Sequence, residues 1–148
     1  MSTTIERAQR EDLASVLDLL DRHGLPVDGA GGLGDMLVVA RLNGRVVGAA
    51  GLELYPDGAL LRSVVVDAIA QGQGLGHRLT EAALTLARDR GASVVFLLTT
   101  TAAQFFPRFG FEPITRDDVP ESVRQSVEFQ SACPASAVVM RHRMGRVP

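Results

Sequence analysis

The order of elements written into this chain is that of an α+β fold: strands gathered early, then a long helix, then strand and helix again. Three observations carry that expectation. Asn43-Gly44 and Pro56-Asp57-Gly58 are tight-turn signals, and they join three apolar runs into an antiparallel meander. The apolar run 60–66, the glycine-rich turn 71–76 and the amphipathic stretch 77–90 read as strand, turn and helix. A further apolar run over 94–98, set off by Gly91, supplies the next strand.

Taken in order, residues 4–8 form a short first strand. Residues 11–23 place Leu13, Val16, Leu17 and Leu20 at helical spacing, and Gly24 ends that helix. The glycine-rich stretch 25–35, with Pro26 near its start, is expected to be a loop. Strands over Leu37–Leu42 and Arg45–Tyr55 meet at the Asn43-Gly44 hairpin, and residues 59–66 return after Pro56-Asp57-Gly58. A three-residue connection there sets Glu53 opposite Leu61, and a two-residue connection sets it opposite Arg62. Beyond the strand 94–98, the pattern predicts a short helix over 102–108 and a strand over 110–114. A helix over 117–126 follows, with Pro120 in its first turn, and the closing strand spans 135–143. The chain holds no internal repeat and no low-complexity segment.

With 148 residues, 46% of them hydrophobic, residues 1–148 are expected to form one domain with a substantial core. The net charge of −2, with acids and arginines interspersed, offers no basic stripe for nucleic acid, so a small-molecule partner is expected. A single cysteine, Cys133, and three scattered histidines make a poor metal inventory and exclude an intramolecular disulfide framework. No apolar stretch is long enough to span a bilayer and the first residues lack an apolar signal core, so a cytoplasmic protein is expected; either a monomer or a homodimer is compatible with the sequence. All fifteen basic residues are arginine, which excludes a lysine Schiff base and the cofactors that need one.

The glycine-rich turn says most about function. A helix start leaves backbone N–H groups unsatisfied and carries partial positive charge, so glycines there allow an anion to rest on the backbone. The same glycines would also serve a tight turn with no ligand. A triphosphate-binding loop requires a lysine, and there is none. A dinucleotide fingerprint wants its glycines directly after the strand and an acid at the end of the next one; here residues 67–70 intervene and the next strand ends in Thr99-Thr100-Thr101. The remaining pattern is Gln-x-x-Gly-x-Gly, formed by Gln71, Gly74 and Gly76 between an apolar strand and a helix.

That pattern resembles the acetyl-coenzyme A motif of the GCN5-related N-acetyltransferases (GNAT). The resemblance spans nearly the whole chain. Residues 96–101, Phe105-Phe106, Gly110-Phe111, Pro120-Glu121 and Glu128-Phe129-Gln130 look like the acetyltransferase domain of bacterial N-acetylglutamate synthases. With Cys133-Pro134-Ala135-Ser136, where the synthases carry a basic stretch, the chain is more similar still to the stand-alone acetyltransferases named for arsenic-resistance operons. The resemblance implies a single domain with a mixed, mostly antiparallel central sheet flanked by helices. It also implies direct transfer of an acetyl group from acetyl-coenzyme A, with no metal, to the amino group of a small amino acid or amino-acid analogue. By the same resemblance the backbone of Val64, Val65 and Val66 holds the pantetheine arm, while Gln71, Gly72, Gln73, Gly74, Leu75 and Gly76 hold the pyrophosphate. The loop 25–35 would stand where related folds carry a second helix and would flank the substrate.

Direct transfer needs an ammonium proton removed and a leaving thiolate protonated. Glu53, a carboxylate inside an apolar strand, is the candidate base or base-organiser; a solvated strand face would explain it equally. Arg62 interrupts the strand before the glycine turn, where its guanidinium would either clamp a substrate carboxylate or pair with Glu53. Thr99 and Thr100, at the carboxyl end of their strand, would bind substrate polar groups or cap the next helix. Phe105 and Phe106 stand where many relatives place a tyrosine acid, which leaves Tyr55, the only tyrosine, as candidate proton donor to the thiol. Cys133 has no neighbouring histidine to make it a nucleophile, and one thiol is fewer than trivalent arsenic needs. A catalytically silent acyl-coenzyme A sensor would keep the glycine turn and lose the carboxylate and arginine pair, and both are present.

Overall fold

The computed structural model describes residues 3–132 and 136–144. Among them, seven strands form one sheet: β1 (Thr3–Arg7), β2 (Leu37–Leu42), β3 (Arg45–Tyr55), β4 (Gly58–Val66), β5 (Val94–Thr99), β6 (Glu112–Ile114) and β7 (Val138–Arg143). Their order across the sheet is β1-β2-β3-β4-β5-β7-β6. The β4–β5 pair is parallel and the other neighbouring pairs are antiparallel, which is the mixed, mostly antiparallel sheet the sequence leads one to expect. Helices α1 (Leu13–Arg22), α2 (Leu75–Asp89) and α3 (Glu121–Arg124) complete the domain.

Local chemistry places the turns. Asn43 and Gly44 both take positive φ, 54° and 79°, the conformation whose twist matches a two-residue hairpin between β2 and β3. Tyr55 pairs with Gly58, so only Pro56 and Asp57 connect β3 to β4. Glu53 therefore faces Leu60 and Arg62 faces Gly51, which corrects both registers considered from sequence; Glu53 and Arg62 are diagonal neighbours.

The two faces of the sheet bury different things. On one face α2 lays Leu75, Leu79, Ala83, Leu86 and Ala87 against Val38, Ala40, Leu52, Leu61, Val95, Leu97 and Met140. The other face carries two apolar patches. In one, Val16, Leu19 and Leu20 of α1 pack with Leu33, Leu37, Val39, Ala49 and Val65; in the other, Leu60, Phe96, Leu98 and Val139 pack with Val119 and Val123. Each such side chain stabilises by ~1.5–3 kcal/mol on full burial. Directly opposed strand residues share a face, so Glu53 lies on the face of Leu60, and Gly51 and Arg62, two residues along, lie on that face too.

Two expected helices are shorter than their patterns suggest. The stretch 102–108 forms turns and the 3₁₀ segment Phe106–Phe109, and Pro107 lacks the N–H that a helix running through it would use. Within 117–126 the chain forms the 3₁₀ turn Arg116–Asp118 and the single-turn α3, since Val119, which precedes Pro120, is extended with φ −90° and ψ 132°. A π-helical turn, Glu128–Ala132, was not foreseen. β6 and β7 begin later than expected, at Glu112 and Val138, and α2 begins earlier, at Leu75.

One irregularity decides where a ligand can enter. Ala49 pairs with Val65 and Gly51 with Arg62, so Ser63 and Val64 of β4 together face Ala50. This is a β-bulge, and Ser63 carries it with φ at 60°. β4 and β5 pair at Ala59–Val95 and Leu60–Phe96, and past the bulge β4 turns away from its parallel neighbour. The carboxyl ends of the two strands are left splayed.

Candidate active site

The splay opens a cleft of about 920 Å³. One wall is residues 62–66 of β4, and the other is Leu97, Leu98 and the threonines 99–101. Residues 70–72 and 74–77 at the start of α2 close one end with Phe105 and Phe106, while Leu25, Pro26 and Glu128 border the other elements of the lining. Past Leu60 no described residue of β5 pairs with β4, so the β5-facing amides and carbonyls of the strand end lack a strand partner. Such a backbone edge can take an extended amide-bearing chain as an added strand would be taken.

The glycine turn is shaped by its backbone. Gly72 and Gly74 take φ of 83° and 77°, and nothing described lies within 4 Å of where a Cβ would stand at either position. The left-handed conformation is thus what requires glycine, and the space in front stays open. Gln71 Nε2 donates to the Val66 carbonyl at 3.0 Å, tying the turn to the end of β4. Asp67 accepts from the Ile69 N–H at 3.2 Å. That bond foremost, aided by Arg22 and Arg45 and opposed by burial, holds the Asp67 carboxyl below the usual carboxylate range. Gly74 is the N-cap of α2, so the free N–H groups of the first turn face the cleft end where an anion is stabilised.

Of the residues anticipated as coenzyme contacts, Val64, Val65, Val66, Gln71, Gly72, Gly74, Leu75 and Gly76 line the cleft, and Gln73 does not. Arg62, Thr99 and Thr100 also line it; Glu53 and Tyr55 do not. Thr99 Oγ1 accepts from the N–H groups of Ala102 at 2.9 Å and Thr101 at 3.4 Å, closing a turn and not capping a helix: the next helical segment, Phe106–Phe109, starts from Phe105. Cys133 lies outside the described residues.

Half-buried Glu53 and Tyr55 form one cluster with buried Arg62. The Arg62 side chain has no exposed surface. Its Nη1 donates to Glu53 Oε2 at 2.9 Å, its Nη2 to the Asp28 carbonyl at 2.6 Å, and its Nε to Ser63 Oγ at 3.2 Å. Glu128 Oε1 stands 3.6 Å from Nη2. The Tyr55 hydroxyl donates to Glu53 Oε1. Burial first, and then the carboxylate beside it, push the Tyr55 phenol well above its ordinary range, so it holds its proton firmly. An enclosed guanidinium must be paired, because an isolated buried charge costs several kcal/mol or more, and here pairing with Glu53 has occupied the group expected to grip a substrate carboxylate.

Glu128 is the residue the sequence reading did not single out as a site residue. It is buried, borders the cleft and sits in the π-helical turn, an irregularity frequent at functional sites. The signal was available: like Glu53, it is a carboxylate flanked by apolar residues, here Val127 and Phe129. Among the described residues no cluster of His, Cys, Asp and Glu could hold a metal, and no helix is long and apolar enough to cross a membrane.

Residues 34–113 match the family model of the acetyltransferase (GNAT) domain. The amino-acid acetyltransferase of Mycobacterium tuberculosis (strain ATCC 25618 / H37Rv) is 39% identical over 83 residues, covering 55% of this chain and 47% of that protein. An Enterobacter amino-acid acetyltransferase matches 85% of the chain and 30% of its own length, so the chain spans about half or less of these curated relatives. Among solved structures, N-acetylglutamate synthase from Neisseria gonorrhoeae, complexed with coenzyme A and N-acetyl-glutamate, superposes with a TM-score of 0.83 at 22% identity, over 99% of this chain and 36% of that one. A Mycobacterium tuberculosis protein in complex with CoA gives 0.81 at 26% identity, covering 95% of this chain and 98% of that one.

Proposed function

The chain belongs to the GNAT acetyltransferase family, and on that premise we propose that it transfers the acetyl group of acetyl-coenzyme A directly to the amino group of a small amino acid or amino-acid analogue. The observation that carries this reading is the cleft itself: the end of β4, without a strand partner on its β5 side, runs into a glycine turn that presents the first-turn N–H groups of α2. Pantetheine amides match the strand edge and a pyrophosphate matches the helix start. The names of the curated relatives support an amino acid as acceptor. The acetyl thioester is supplied by the bound coenzyme, and everything else is done by this chain.

Val64, Val65 and Val66 align the thioester arm along β4, and Gln71, Gly72, Gly74, Leu75 and Gly76 hold its phosphates. Such positioning is a large part of the work in a bimolecular transfer, worth ~7–11 kcal/mol in well-oriented cases. Thr99 and Thr100 border the acceptor end. Glu53 acts from behind Arg62, organising the groups that meet the acceptor, and Tyr55 braces Glu53. The arsenic-resistance reading is a narrower form of this proposal, in which the acceptor is an arsenic-bearing glutamate analogue.

Release of free thiol from acetyl-coenzyme A is the deciding measurement, run with glutamate, phosphinothricin, arsinothricin, spermidine and an aminoglycoside. Turnover of one or more amino-acid acceptors supports the proposal. Efficient turnover of spermidine with none of the amino acids would sink the acceptor assignment, and coenzyme binding without turnover of any amine would reduce the protein to a sensor.

A further inference from the structure

The acceptor end of the cleft holds a carboxylate with no assigned role. Arg62 looks like the group that should meet a charged substrate there, yet its three kinds of donor nitrogen are engaged by Glu53, the Asp28 carbonyl and Ser63. Gly29 locks this arrangement: with φ at 80°, a Cβ on it would stand 2.9 Å from Arg62 Nη1, so the loop backbone lies directly on the guanidinium. Arg62 cannot swing out to receive a ligand. Of the charged residues on the cleft lining, Arg62, Arg108 and Glu128, the carboxylate is Glu128, 4% exposed, with Oε1 at 3.6 Å from the fixed Nη2. Glu53, paired with Arg62 at 2.9 Å, does not border the cleft.

We propose that Glu128 receives the ammonium group of the acceptor and takes its first proton, and that Arg62 is the residue that positions Glu128. Acceptor recognition at this site is therefore amine-first. A buried carboxylate on a cleft lining that also carries Thr99, Thr100 and Thr101 prefers an ammonium to a neutral hydroxyl of the same shape. The step balances as follows: one ammonium proton passes to Glu128, the freed nitrogen lone pair forms the bond to the thioester carbon, and the carbon–sulfur bond breaks. The second nitrogen proton goes with the departing thiolate as free thiol, and Glu128 returns its proton to water after release.

This inference rests on the proposed acetyltransferase reading, so the test separates the two. Coenzyme A affinity is measured first by titration calorimetry on the wild type, Glu128→Gln and Glu128→Asp. Wild-type protein that does not bind coenzyme A would overturn the acetyltransferase reading itself. The coenzyme-loaded proteins are then titrated with L-glutamate and L-phosphinothricin, and with the 2-hydroxy counterpart of each. The wild type is expected to bind at least one amine tenfold or more tighter than its hydroxy counterpart. Glu128→Gln should bind coenzyme A as the wild type does and lose that preference, while Glu128→Asp keeps part of it. A merely structural role would weaken amine and hydroxy ligands alike. Wild-type protein that binds coenzyme A without preferring the amine, or a Glu128→Gln variant that retains the preference, would overturn the assignment.

Discussion

Arg62 shows how much a single side chain can decide. It is wholly enclosed, and the fold tolerates it because Glu53, Glu128 and the Asp28 carbonyl surround it. Such groups contribute little when complete and cost much when broken. Arg62→Leu leaves buried Glu128 and half-buried Glu53 without their guanidinium, and the urea midpoint should report a loss of ~3–5 kcal/mol. Adding Glu53→Gln to that variant should recover part of it, because one orphaned charge is removed. Two other carboxylates govern the acid side of stability. Asp12 titrates below the usual range, chiefly through its hydrogen bond from Arg41, and Asp67 does so chiefly through the Ile69 N–H. Their folded-state values lie below the unfolded ones, so the unfolded chain takes up protons first as the pH falls. Their stabilisation is complete above about pH 5 and drains away as the pH drops through the folded values. Urea midpoints taken at about pH 7 and about pH 3 should therefore differ less for Asp67→Asn than for the wild type.

At the scale of elements, the bulge and the glycine turn act together. The bulge at Ser63 and Val64 turns β4 from β5, and the turn receives the strand end and starts α2. Gly74→Asp tests the turn. Aspartate tolerates a left-handed backbone better than most residues, and nothing described within 4 Å obstructs its Cβ, so the variant should fold. Its carboxylate would then oppose the pyrophosphate at the helix start, and coenzyme A affinity should fall at least tenfold, about 1.4 kcal/mol, by calorimetry. Unchanged affinity in the folded variant would remove the turn from the coenzyme site. Within α2, Leu79 is fully buried against the sheet, and Leu79→Ala should lower stability by ~2–5 kcal/mol in urea denaturation.

For the whole molecule, a ligand bridging β4, the glycine turn and the β5 end ties separate elements together and should stabilise the fold. Coenzyme A at a hundredfold excess over its dissociation constant should add about 2.7 kcal/mol, seen as a rise of ~5–10 °C in melting temperature, and a nicotinamide dinucleotide should add none. Much of this organisation was legible in the chain. The meander, the long helix and the glycine turn were written in apolar periodicity and in the φ demands of Asn43, Gly44, Gly72 and Gly74, which are local properties. The two overextended helices failed for a local reason too: Pro107 lacks an N–H, and Pro120 holds Val119 extended. What sequence alone determined was therefore the fold class, the family pattern and the position of the glycine turn, because each depends on neighbours a few residues apart. Only the tertiary structure decided that Asp28, Gly29, Glu53, Arg62 and Glu128 meet, that Glu53 faces Leu60, and that Glu128 borders the cleft instead of Glu53. Those outcomes follow from strand register, a bulge and the need to pair a buried guanidinium, which are satisfied between residues far apart in the chain and leave no periodicity to read.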